Sequence, residues 1–146
     1  MTTRIFPTAQ DAENAFYEAL ERCDLDGMMA VWAEDEEIVC VHPAGARLTG
    51  QDQVRESWAK LFAAGPRARL RIEQQVAISG MMLAVHSVFE TFSIQGQKAE
   101  AQPLPIVATN VYLRTAAGWR MIVHHASPAP AQPQAAPRDA PPKILH

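Results

Sequence analysis

Residues 108–127 read ATNVYLRTAAGWRMIVHHAS. Apolar and polar residues alternate on both sides of Ala116-Ala117-Gly118, and small turn residues between two such runs are the mark of a β-hairpin. Strands are therefore expected over 106–115 and 119–126. Upstream, Leu70, Ile72, Val76 and Ile78 alternate with Arg71, Glu73, Gln75 and Ser79, a half-buried strand that turns at Ser79-Gly80 into a second run over 81–92. The polar stretch 93–105, with Gly96 and two prolines, reads as the loop between the two hairpins. Hairpin follows hairpin, so the sheet is expected to be antiparallel.

The N-terminal third has a different period. Ala12, Ala15, Phe16, Ala19, Leu20 and Cys23 recur at offsets of three and four, giving one apolar helical stripe with Thr8 as its N-cap. Leu25, Met28, Met29 and Trp32 repeat the pattern after Asp24, a second N-cap, and the acidic run 34–37 reads as a solvated helix end. A short strand over 38–42 closes at Pro43-Ala44-Gly45. Thr49 then opens a third helix with Asp52 at the capping-box position and Val54, Trp58, Leu61 and Phe62 as its stripe, stopped at Gly65-Pro66. Three helices and one strand followed by four long strands describe an α+β fold with helices covering one face of a curved sheet.

Size and composition bound the function. The 146 residues make one domain, with 48% hydrophobic and 20% charged residues able to build a core. A net charge of -3 argues against nucleic acid and anionic lipid as partners, and no apolar run is long enough for a membrane span. The start has no apolar signal core, so a cytoplasmic location is expected. Cys23 and Cys40 lie in apolar patterns without metal-site spacing and read as buried thiols. Six of the 11 prolines fall between Pro128 and Pro142, so the domain is expected over 1–127 and a flexible Pro/Ala-rich tail over 128–146.

The order of elements, with AFYEALERCDLDGMMAVWAEDEEIVCVHP, LTGQDQVRESWAKLF and ATNVYLRTAAGWRMIVHHAS, resembles the SnoaL-like branch of the nuclear transport factor 2-like superfamily over about residues 9–127. The resemblance implies a cystatin-like cone whose concave face and helices enclose a pocket. It includes isomerases, dehydratases, hydrolases, cyclases and non-enzymatic association domains, so fold alone does not decide activity.

Strand parity under that resemblance selects the candidate site. In 119–127 the odd positions share a face, and the family's Trp-to-His spacing turns His125 inward and leaves His124 on the other side. Asn110 and Tyr112 take the inward parity of their strand, as do His86, Val88 and Glu90 of theirs. His125, Glu90 and His86 are the expected acid-base residues, with Asn110, Tyr112, His42, Trp58 and Tyr17 as substrate contacts. Tyr17 also reads as a core or rim residue beside Phe16, and Trp32 and Trp58 as core aromatics. No metal and no cofactor are expected: His86 and Glu90 lie about 13 Å apart along a strand, too far to share an ion.

Two departures from relatives matter. Ile38, Cys40 and Val41 occupy the region where the steroid isomerases of the superfamily carry an acidic base, and no acidic residue lies within 119–127, where related polyketide cyclases carry an aspartate. What remains is either a small enzyme moving a proton on a carbonyl-containing or hydroxylated metabolite, or a dimeric ligand-binding or association module. A homodimer is expected in both cases, because an open sheet with helices on one side leaves a face to cover; Val107, Val111, Leu113 and Ile122 would supply the seam.

Overall fold

The computed structural model describes residues 4–65 and 67–130; most of the expected tail lies outside them. Helix α1 (Ala9–Arg22) begins where the Thr8 hydroxyl accepts from the Asp11 N–H at 3.0 Å, and it ends at Cys23 in the left-handed conformation, φ 54°. Asp24 immediately caps α2 (Leu25–Val31) through the Gly27 N–H. A Cβ on Gly27 would stand 2.4 Å from that carboxylate, so a larger residue there would have to displace the Asp24 cap. α3 (Gly50–Ala64) starts differently from expectation. Thr49 makes no side-chain cap bond and Asp52 takes no part; instead the Thr49 N–H donates to Gln53 Oε1 at 3.1 Å. No helix among the described residues is long and apolar enough to cross a membrane.

Six strands form one sheet: β1 (Val39–Val41), β2 (Arg47–Thr49), β3 (Arg69–Ser79), β4 (Leu83–Ser93), β5 (Ile106–Thr115) and β6 (Gly118–Pro128), in the order β2-β1-β6-β5-β4-β3. β2 was not foreseen, being a three-residue strand without a strong pattern. The sheet is also not wholly antiparallel, since β1 joins β6 in parallel, with Cys40 beside His124 and Val41 beside His125. β6 runs through Pro128, and Ala129 is buried with its N–H on Pro105 O, so the described packing continues past residue 127. The α+β cone itself is as expected. Phe16, Met28, Trp32, Trp58, Val88 and Met121 are among the core side chains between helices and sheet.

Two β-bulges set which residues enter that core. In β6, Val123 pairs with Val111 but Met121 pairs with Tyr112, so Ile122 is an extra residue. Met121 and His124 consequently both face the helices, and the simple alternation that put His125 inside fails at this point. His124 is 2% exposed and opposite Asn110, whereas His125 is exposed on the outer face. In β3, Glu73 pairs with Phe89 and Val76 with Ser87, leaving Gln74 (φ 52°) and Gln75 opposite a single residue. Leu70 and Ile72 point inward, but beyond the bulge Gln75 takes the inward parity. Val76 and Ile78, expected on the buried face, are 64% and 68% exposed on the other.

The bulge makes a direct prediction. His125→Ala is expected to change unfolding free energy by less than about 0.5 kcal/mol, as exposed substitutions do. His124→Ala removes a buried ring and leaves the Asn110 carbonyl without its donor, and is expected to cost about 2 to 4 kcal/mol. Urea unfolding followed by circular dichroism checks both, and comparable losses would contradict the register.

Candidate active site

α1 carries the residues from which the interior is organised. Glu13 and Tyr17 are one helical turn apart, and both project from the buried stripe onto the sheet. Each anchors its own hydrogen-bond network.

Around Tyr17 the bonds form an ordered series. Its hydroxyl donates to Glu90 Oε2 at 2.7 Å and accepts from Asn110 Nδ2 at 2.8 Å. With the Asn110 nitrogen committed, its Oδ1 is an acceptor, and it lies 2.6 Å from His124 Nδ1. That bond places the imidazole proton on Nδ1 and leaves a lone pair on Nε2. Nε2 in turn lies 4.0 Å from Glu90 Oε2. The four side chains thus make a ring, closed everywhere but between His124 and Glu90. Burial pushes the Glu90 carboxyl up to about 7, with the Glu13 charge adding to the rise and the Tyr17 bond opposing it. Burial, then the charges of His42 and His125, holds His124 down at about 3, so its ring is neutral at any ordinary pH. Phe16 packs tilted against that ring at 4.8 Å.

Glu13 anchors the second network. Its Oε2 accepts from Tyr112 Oη at 2.8 Å and from His86 Nδ1 at 2.7 Å, and its Oε1 accepts from Gln75 Nε2 at 2.6 Å. Three donors satisfy one buried carboxylate. Burial, followed by the Glu13 charge, raises Tyr112 well above the usual phenol range, which keeps it a donor.

The expected site residues therefore separate. Glu90, Asn110 and Tyr17 come together with His124, which takes the place foreseen for His125. His86 and Tyr112 belong to the other network, with Glu13 and Gln75. His42 lies near the first, its Nε2 at 2.9 Å from Ser57 Oγ and its ring edge-on to Trp58 at 4.6 Å. Trp58 is buried with its Nε1–H lacking any acceptor among the described residues, as is Trp32. Cys40, whose thiol burial pushes up to about 12, is inert as a nucleophile. Glu13 was missed, yet the signal existed: it stands four residues before Tyr17 and three before Phe16 in the same stripe. Gln75 was hidden by the β3 bulge. Among the described residues no three metal-capable side chains converge.

The two titrating groups of the ring act on stability in opposite senses. Glu90 has its folded pKa raised from 4.5 to about 7, so its contribution is fully present below pH 4.5 and is lost as pH rises toward 7. His124 has its folded pKa lowered from 6.5 to about 3, so its contribution is present above 6.5 and is lost as pH falls toward 3. Between about pH 4.5 and 6.5 they cancel. Glu90→Gln is expected to remove the falling limb, so that the stability difference between variant and parent grows with pH by roughly 3 kcal/mol from 4.5 to 7. Urea unfolding at half-unit pH steps measures it, and a flat difference would contradict a buried, near-neutral Glu90.

Comparison with known proteins places this arrangement. A search of curated proteins matches none. The family model described as the SnoaL-like domain matches residues 10–132. A solved structure from Thiobacillus denitrificans, a candidate calcium/calmodulin-dependent protein kinase type II association domain, is 43% identical, with a TM-score of 0.81 over 87% of this chain and 99% of that one. A candidate dehydratase of the nuclear transport factor 2-like family from Streptomyces avermitilis is 29% identical, with a TM-score of 0.73 over 82% and 92% of the two chains. A nuclear transport factor 2-like protein of unknown function from Pseudomonas putida, 20% identical over 91% of this chain and 93% of its own with a TM-score of 0.73, shares the fold. With more than four-fifths of its length matched by the family model, the chain belongs to the SnoaL-like domain family of the nuclear transport factor 2-like superfamily.

Proposed function

We propose that this SnoaL-like domain binds a small, mostly apolar carbonyl or hydroxylated metabolite and moves a proton on it, with Glu90 as the acid-base group. The observation that carries this reading is the open position in the Tyr17–Asn110–His124–Glu90 ring. The 4.0 Å between His124 Nε2 and Glu90 Oε2 is too long for a direct hydrogen bond and equals a span that one oxygen about 2.8 Å from each would bridge. A ligand hydroxyl there donates to one and accepts from the protonated form of the other. Glu90, titrating near neutrality, can give or take that proton at little cost. His124 Nε2 accepts from the ligand hydroxyl, Asn110 fixes the tautomer of that ring, Tyr17 steadies the carboxyl, and the Trp58 N–H offers a second donor.

The most general form of the chemistry is proton exchange beside a carbonyl. In D2O, the protein is expected to accelerate deuterium incorporation at carbons adjacent to the carbonyl in at least one member of a panel of small cyclic ketones, followed by proton NMR. Glu90→Gln should lower that rate by about 10² to 10⁴, the usual range for a general acid-base residue. A panel without exchange, or a rate indifferent to Glu90, would remove the proposal.

A second reading, an association module, is favoured by the outer face of the sheet. Ile78, Val85, Val111, Val123 and Val39 stand in register across five neighbouring strands, an apolar row on the face away from the described helices. Val107 and Leu113 share that face, whereas Ile122 packs against the core at its bulge and is unsuited to a seam. The description of the Thiobacillus relative as an association domain agrees with such a role. Light scattering at micromolar concentration is expected to give a homodimer, and Ile78→Asp, at an exposed position, to shift it toward monomer without loss of helical signal. A parent protein that is monomeric under these conditions would eliminate this reading.

A further inference from the structure

His86 has two ring nitrogens in different surroundings. Nδ1 is committed to Glu13, whose carboxylate accepts from it. The ring is 2% exposed, yet it lines a groove of 290 Å³ between the first turn of α1 and the turn end of the β3–β4 hairpin. No described residue pairs with Nε2, so in the tautomer that Glu13 imposes the groove receives a lone pair. Ala9, Ala77, Ala84 and the Trp119 indole form its apolar walls, Thr8, Gln10, Ser79 and Gly80 complete the lining, and among the described residues His86 is its only ionisable side chain.

The chemistry of the ligand follows by elimination. A cation finds no acidic side chain in the lining. An anion would meet a lone pair rather than a proton at Nε2, with Asp11 and Glu13 already placing two carboxylates in the first turns of α1. Thr8 and Gln10 are already engaged with Asp11, Asn14 and Gln75, so what complements the His86 lone pair between alanines and an indole is a neutral O–H on an apolar body. The volume lies near the lower limit of small-molecule pockets, so that body is about one ring. We propose that this groove is a second ligand site, separate from the Glu90 ring, which takes a small ring-bearing alcohol or phenol whose hydroxyl donates to His86 Nε2. Glu13 is here a positioning residue, since it fixes the tautomer and touches no ligand.

The test uses the full-length ¹⁵N-labelled protein with phenol and, as a partner of nearly the same shape without the hydroxyl, toluene. Phenol is expected to shift the His86 Nε2 and Trp119 indole resonances and to bind about tenfold more tightly than toluene, the value of one net hydrogen bond. His86→Phe should erase the difference between the two probes. Because that variant also strips Glu13 of a donor and could fail to fold, Ala77→Leu provides an independent measure. It fills the groove from an exposed position cross-strand from His86, removes no hydrogen bond of the network, and should weaken both probes at least fivefold. Equal affinities for phenol and toluene, shifts confined to His124 and Trp58, or binding unaffected by Ala77→Leu would each overturn the assignment. None of these readings passes through Glu90, so failure here is distinguishable from failure of the exchange reaction.

Discussion

A carboxylate set into a protein interior must be met by donors or give up its charge, and Glu13 is met from three neighbouring strands at once. Gln75 comes from β3, His86 from β4 and Tyr112 from β5. Desolvating such a group costs several kcal/mol if it is left unpaired, so the three bonds fix where α1 lies on the sheet and in what rotation. They also impose a demand on β3. Gln75 reaches Glu13 only because the irregularity at Gln74 turns it inward, and the cost of a left-handed non-glycine residue there is offset by the bond it permits. Tyr17, one turn further along α1, is then carried to Glu90 and Asn110 without further adjustment.

The second network follows the same logic with a different outcome. Glu90, on β4, has one strong donor, Tyr17, and burial prevails over it: its carboxyl remains protonated into the neutral range. His124 completes the arrangement as a neutral ring, because burial disfavours its charged form and the charges of His42 and His125 add to that.

The fold was legible in the sequence wherever period and punctuation agreed. The helical stripes around Phe16 and Trp58, the hairpin at Ala116-Ala117-Gly118 and the long β3–β4 pair needed only local pattern. Inward parity was also legible for His86, Glu90 and Asn110, which lie on strands without interruption. It failed in β3 and β6, because alternation carries information only as far as the next bulge, and neither Gln74 nor Ile122 is a glycine that would announce one. The adjacent histidines compounded the error: with His124 and His125 side by side, a one-residue slip exchanges one imidazole for another and leaves the pattern looking intact. The parallel joining of β1 to β6 was illegible for another reason, since three residues of strand hold no record of which neighbour they will find.

The extra residue in β6 has a consequence for how such a domain can change over time. Ile122 sits in the strand as slack: its loss would heal the alternation while leaving Met121 opposite Tyr112 and His124 opposite Asn110. An insertion or deletion at that point alters the bend of the sheet without moving the chemistry at either end. Two residues further along, loss of His124 would bring His125 opposite Asn110, one imidazole for another, whereas an insertion just before His124 would present a different side chain to the interior. A single codon gained or lost therefore has two separate effects within one strand, remodelling the curvature of the cavity wall or replacing its imidazole, and a lineage could explore either without disturbing the other.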